Sequence, residues 1–342
     1  MTYTAETEQV WAALGLQQAI APKKIEDTDP LSWTAAFVLT PEEEAMLTDA
    51  KWIYPNLIIQ GHVIAIPAKP NGGKTTLFTH LAGEIASDYE VFYVNADVSG
   101  ADAKPMLAHA REHGYTMLLP DLKTGLSMDD VVSQLERMNE TAADYSHVVF
   151  VFDTLKKMAD MINKASLKHL LATFRGLSAK GMTIVLLAHT NKYDGPDGRP
   201  IFEGTADLRA DVDELIYLIP LKNPDGSMTI STDPDKVRGS FRPITFRVSP
   251  DRIVTASEEF VDVAELTRTA ETLQHDETLI EAITEAIVGG KAKQAEIVAY
   301  CSERYGLSRR QIEPVLKRYS RPPIKKWTRE KGFSNAWIHT LA

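Results

Sequence analysis

The sequence predicts an α/β fold with a mostly parallel central sheet, followed by a small basic domain of helices. Three observations carry this. Apolar runs at 63–66, 91–96, 148–152 and 183–188 alternate with stretches of helical period, the pattern that builds parallel sheets. The first run passes into a glycine-rich loop that opens a helix, HVIAIPAKPNGGKTTL over 62–77. From residue 291 onward, 12 Lys/Arg stand against 4 Asp/Glu, net +8, so residues 1–290 hold −18 and the whole chain −10.

At 342 residues, and about 150 per domain, the length predicts two domains. Hydrophobic content of 44% and charged content of 25% are those of a soluble globular protein. The only cysteine, Cys301, excludes an internal disulfide and a cysteine-based zinc site. No run of 18 apolar residues exists, and the start MTYTAETEQVW lacks a basic and apolar leader, so a cytoplasmic protein with no membrane partner is expected. A basic tail on an acidic body reads as an appended nucleic-acid module.

Residues 1–50 read as an arm or covering segment. They hold one clear helix start, with Thr40 as N-cap, Pro41 at N1 and Glu42 to Glu44 in the first turn. The domain predicted over 51–255 begins with Trp52, Ile53 and Tyr54. Its phosphate cradle is Ala68, Lys69, Pro70, Asn71, Gly72, Gly73, Lys74, Thr75 and Thr76. Glycines let backbone N–H groups turn inward on an anion, and the helix N-terminus adds about half a positive charge. Lys74 would reach the β- and γ-phosphates of ATP, and the Thr75 hydroxyl would ligate Mg²⁺. Ala68 replaces the motif's first glycine, which is harmless if its φ stays negative.

The run 91–96 leads to Asp97, at the strand end where parallel sheets bind ligands. Helices are predicted over 101–113 and 127–140, with a strand near 115–119 between them. VVFVF then ends in Asp153, a hydrophobic strand before an acid, the pattern of a carboxylate that holds Mg²⁺. A helix over 164–179 precedes TIVLLA, whose tip is His189, at the same sheet edge as Lys74 and Asp153. A Gly/Pro-rich loop, 193–203, follows. Strands near 215–220, 228–232 and 244–248 read as antiparallel, the first two joined by Asn223-Pro224-Asp225-Gly226. Lys236 and Arg238 fall between the last two, where a solvated turn is the ordinary reading.

Polar residues 256–271 read as a linker, and 272–342 as a second domain. Helices over 277–288, 293–305 and 309–319 and strands at 324–328 and 336–340 make a winged-helix pattern, with Pro314 inside the third helix. Arg309, Arg310 and Gln311 occupy the first turn of the helix that would meet duplex DNA, and Lys325, Lys326, Arg329 and Lys331 would arm the wing for phosphates.

Residues 52–255 resemble the RecA-like ATPase core of hexameric helicases, of the plasmid RepA type and the bacterial replicative DnaB type. AKPNGGKTT resembles Walker A and VVFVFDT Walker B; VFYVNAD matches the strand that in this family ends in a catalytic Glu. LLAHTNK resembles the strand that carries a γ-phosphate sensor. Lys236-Val237-Arg238-Gly239 resembles a Lys-x-Arg pair that reaches the ATP of the adjacent subunit. Asp97 stands where the family has Glu, and His189 where Gln is commoner. The resemblance implies an ATP- and Mg²⁺-dependent DNA motor, a homo-oligomeric ring, hexameric in the family, and single-strand contacts from Lys192, Arg199 and Arg209. It also fits a recombination or annealing mediator ATPase without strand displacement. Lys69 prompts a partition-ATPase alternative, disfavoured because Pro70-Asn71 stands where that family has glycines.

Overall fold

A computed structural model describes residues 31–45, 50–123, 125–158, 164–191, 206–332 and 335–342. The chain divides into two units, Met1–Lys51 and Trp52–Ala342. In the first, the 3-10 turn Ser32–Phe37 brings the Trp33 and Phe37 rings edge to face at 5.6 Å, and the short helix α1 (Pro41–Ala45) starts where Thr40 and Pro41 predict.

The second unit opens with a small antiparallel pair, β1 (Trp52–Tyr54) and β2 (Ile58–Ile59). The main sheet follows: β3 (Val63–Ala68), β4 (Glu90–Asn95), β5 (Thr116–Leu118), β6 (Val148–Asp153), β7 (Thr183–His189), β8 (Glu214–Lys222), β9 (Met228–Lys236), β10 (Thr245–Val248) and β11 (Val254–Ala256). Their spatial order is β11-β10-β9-β8-β3-β7-β6-β4-β5. From β8 to β5 neighbouring strands run parallel, and β9 to β11 extend the sheet antiparallel. Period-two alternation sorts the apolar runs between two faces. Ile64, Ile66, Val149, Val151 and Val185 pack with Leu77, Phe78 and Leu81 of α2 (Lys74–Ile85). Val63, Ala65, Phe150, Phe152 and Leu186 pack on the other face with Leu135 and Phe174. That second face is covered by α4 (Met128–Glu140) and α5 (Lys164–Ser178), while α3 (Gly100–His113) follows β4. Each such buried side chain contributes about 1.5–3 kcal/mol relative to exposure, so both faces lock the strand register that aims the strand ends.

Two expectations about elements change. β9 runs on to Lys236, so Lys236 ends a strand rather than lying in the turn beyond it. After the short helix α6 (Ala206–Asp211) and the strands, the predicted linker carries most of a helix, α7 (Val263–His275), capped by the Asp262 carboxylate accepting from Glu265 N at 2.8 Å. Val263 is its one fully buried side chain, and Val263, Leu266 and Leu273 recur at helical spacing, a short apolar stripe that the linker reading passed over.

Beyond it, α8 (Glu277–Val288), α9 (Gln294–Tyr305) and α10 (Arg309–Arg318) enclose a third core with the hairpin β12 (Trp327–Lys331) and β13 (Trp337–Leu341). Trp327 fills its centre and donates its indole N–H to Leu316 O at 2.7 Å. The first strand starts three residues later than expected, because Lys326 N is bonded to Tyr319 O across the proline turn.

Candidate active site

β3 ends at Ala68 and the chain turns through 69–73 into α2. Gly72 N donates to Lys69 O at 3.0 Å, and a Cβ on Gly72 would sit 2.8 Å from that same oxygen. Gly73 has φ 79°, and a Cβ there would meet Ile230 Cδ1 at 2.7 Å, so the loop's second glycine also lets it lie against β9. Ala68 belongs to the extended strand, so the missing first glycine costs nothing.

Lys74 is buried and bends back over its own loop. Its Nζ donates to Ala68 O at 3.1 Å, lies 3.4 Å from Lys69 O, and stands 3.3 Å from His189 Nδ1. Burial pushes the ammonium's pKa down, and the Asp153 carboxylate opposes that shift. Phosphate oxygens would be stronger partners than neutral carbonyls. Parallel pairing of β3 with β7 sets Ala68 opposite His189, which brings that imidazole to the lysine.

Asp153, 4% exposed, accepts from Thr75 Oγ1 at 2.6 Å and from Tyr93 O–H at 2.8 Å, both on Oδ2. Burial, then the neighbouring carboxylate, raises the Tyr93 pKa far above its ordinary value, so the phenol stays a donor. The hydroxyl and carboxylate expected to share Mg²⁺ therefore converge without rearrangement of the backbone. One carboxylate and one hydroxyl are the sparse protein ligand set that suits Mg²⁺ beside phosphates; among the described residues no cluster of three or more His, Cys, Asp or Glu could hold a metal. Asp97 N is tied to Asn95 Oδ1 at 2.9 Å, and its carboxylate pairs with Lys157 Nζ at 3.3 Å.

The cradle from Asn71 to Thr76, with Asp97, Asp153 and His189, borders a cleft of about 530 Å³. Its far wall, Met228, Val248, Pro250 and Arg252, escaped sequence reasoning because it comes from strands late in the chain. The one local signal was the turn sequence Ser249-Pro250-Asp251-Arg252, and Arg252 adopts φ 65°. Tyr93 was also missed. A tyrosine inside an apolar strand needs a partner for its hydroxyl, which was the available clue.

Lys236 and Arg238 sit at the other end of the sheet. Lys236 Nζ donates to Arg209 O, Ala210 O and Val212 O at 2.8, 2.9 and 2.7 Å, closing the C-terminus of α6. Arg238 Nε pairs at 3.1 Å with Asp213, which also receives Arg175 at 2.7 Å and the Val63 N–H at 2.9 Å. Val63 starts the strand whose far end makes the cradle, so about 17 Å of strand separates the pair from Lys74 of the same chain. Arg209 pairs with Asp235 at 2.7 Å. Lys192 and Arg199 lie outside the described residues.

In the tail, Arg310, Lys325 and Lys326 are exposed, whereas other expected contacts are engaged. Arg309 pairs with Glu313 at 2.7 Å, and Gln311 Oε1 accepts from Ser308 N and Oγ as the helix cap. The Arg329 guanidinium lies 3.9 Å from the Trp337 ring centroid and Lys331 Nζ 5.5 Å from it. Local partners claimed these side chains, and residue type alone did not reveal it.

Residues 29–195 match the family described as AAA domain. Among solved structures, the flagellar accessory protein FlaH from Methanocaldococcus jannaschii is similar at 18% identity and TM-score 0.42, over 59% of this chain and 92% of that one. The RadB recombinase is similar at 17% identity and TM-score 0.43, over 59% and 93%. No curated protein matches the chain. The strand order, the glycine-rich cradle and the meeting of Thr75 with Asp153 give the chain the RecA-like P-loop NTPase fold, and the matched family model spans just under half of its length. Among the described residues no helix is long and apolar enough to cross a membrane.

Proposed function

We propose that this protein is an ATP-hydrolysing, Mg²⁺-dependent DNA motor, a ring-forming replicative helicase of a plasmid, phage or other mobile element. The carrying observation is the meeting of the Thr75 hydroxyl and the Asp153 carboxylate at 2.6 Å beside the glycine cradle and Lys74. Lys74 would hold the β- and γ-phosphates, and the N–H groups of 72–76 would surround them. Bound there, Mg²⁺ supplies neutralisation of the phosphate oxygens, held by Thr75 and Asp153. Asp97 orients the attacking water, and His189, already beside Lys74, senses the γ-phosphate. The apolar wall of Met228, Val248 and Pro250 suits the nucleobase.

A ring is supported by the position of Arg238, 60% exposed and at the sheet end away from its own cradle, so that a role at a γ-phosphate would have to be played on a neighbouring subunit's nucleotide. Lys236, occupied by three carbonyls, would act by holding this edge together. The three helices and hairpin of the tail would bind duplex DNA as a winged helix, through Arg310, Lys325 and Lys326 first, while Lys192 and Arg199 would touch single strands. The test is strand displacement on a forked duplex with ATP, using the parent and Lys74→Ala. ATP-dependent displacement lost in the variant is expected. DNA-stimulated hydrolysis without displacement would instead mean a recombination or annealing mediator.

A further inference from the structure

Lys157 has no part in the reading above. It ends the 3-10 turn Leu155–Lys157, which follows β6 directly, and its Nζ reaches Asp97 Oδ1 at 3.3 Å. That turn is firmly seated. Leu155 and Met158 are buried in the core at 0% and 6% exposure, and Lys157 N donates to Thr154 O at 3.0 Å. Asp97 is seated from the other side, through its N–H on Asn95, and Asn95 pairs in register with Asp153 across β4 and β6. Two rigid strand ends thus bring one ammonium and one carboxylate together at the rim of the cleft that Asp97 lines.

We propose that Lys157 is a positioning residue for hydrolysis, holding one oxygen of Asp97 so that the other is presented to the attacking water. This rests on the water-orienting role assigned to Asp97. The contrast with Asp153 supports it. Asp153 is buried and fixed by two hydroxyls, whereas Asp97 is 46% exposed, and apart from its backbone tie the cation is the contact seen to restrain its side chain. An aspartate has the shorter reach of the two acids, so an error in its orientation is costly to an in-line attack. Exposed ion pairs contribute little to stability, so losing Lys157 should leave folding intact and act on rate.

The test is steady-state ATP hydrolysis by the full chain with Mg²⁺ and a single-stranded oligonucleotide, comparing Lys157→Met, Lys157→Arg, Asp97→Asn and the double variant Lys157→Met with Asp97→Asn. Lys157→Met is expected to lower kcat about tenfold with KM within about twofold, since the lysine acts on the attacking water and not on ground-state binding. Lys157→Arg should recover most of the rate, because it restores a cation to Asp97. In the Asp97→Asn background, Lys157→Met should have no further effect. Parent-like kcat in Lys157→Met, an equal fall in the Asn background, or a raised KM with unchanged kcat would each overturn the proposal. Parent-like hydrolysis by Asp97→Asn would instead remove Asp97 from the water-orienting role, and Lys157 with it.

Discussion

At Asp153, two hydroxyls meet one carboxylate oxygen that is almost wholly out of water, and each can be removed separately. Tyr93→Phe leaves the ring in place and takes one donor from a buried charge, which should cost about 1–3 kcal/mol of stability and raise the Mg²⁺ needed for half-maximal hydrolysis. Urea denaturation and a Mg²⁺ titration read the two effects; a parent-like result in both would mean that Thr75 alone holds the carboxylate. Lys74→Ala should abolish hydrolysis and most nucleotide affinity, because the triphosphate loses the one lysine that lines the cleft among the described residues. Asp153→Asn should still bind nucleotide and fail to turn it over. A fluorescent ADP analogue beside a phosphate-release assay separates these two outcomes.

Among the elements, the loop and the hairpin respond to different variables. Gly73→Ala forces an L-residue to φ 79° and drives a methyl toward Ile230, so the loop must shift away from β9. A loss of roughly 1–3 kcal/mol in stability and about tenfold in nucleotide affinity is expected; unchanged binding would show that the cradle tolerates the shift. In the β12–β13 hairpin, His339 is buried and stands in register with Arg329. Burial first, then the Arg329 charge, bring its pKa down from 6.5 to about 4. The unfolded chain takes up that proton near 6.5 while the folded hairpin refuses it until about pH 4. Its contribution is therefore complete above pH 6.5 and is lost as the pH falls toward 4, by up to about 2–3 kcal/mol. His339→Leu should flatten the dependence of tail unfolding on pH between 7 and 4.5; an equally steep curve would assign it to carboxylates.

For the whole molecule, the third core is built around Ile283, Ile297, Ile312 and Trp327, with side chains of its own. A chain ending at His275 keeps α7 and both faces of the sheet. It should hydrolyse ATP and bind duplex DNA far more weakly, and the full chain's affinity should fall with salt at a slope of about −0.9 per phosphate contact. Unchanged affinity and slope on truncation would make the tail a protein-docking module. Arg238→Ala should bind ATP and hydrolyse it roughly 10³-fold or more slowly if the arginine acts on a neighbour's γ-phosphate. Mixing it with Lys74→Ala should then restore part of the activity, since one interface can pair an intact cradle with an intact arginine. Parent-like hydrolysis by Arg238→Ala would leave it a surface partner of Asp213.

The sequence by itself determined the parallel sheet, the cradle of 68–76, and the strand-end positions of Asp97, Asp153 and His189. Those features are written within a few residues of one another, in strand periodicity, in glycines that permit a left-handed turn, and in an acid placed after an apolar run. Tertiary structure alone decided which partners these groups have. Tyr93 and Asp153 are 60 residues apart, and Lys74 and His189 are 115 apart. Parallel register brings both pairs together, and the packing of whole strands sets that register. The same cause separates Lys236 from Arg238 in role. Adjacent in the motif, one is drawn inward to the carbonyls of α6 while the other stays at the surface on Asp213. The α7 helix was read as linker because its short apolar stripe, Val263, Leu266 and Leu273, is set among acidic and hydroxyl residues, and only packing decides that Val263 is buried while Leu266 stays exposed.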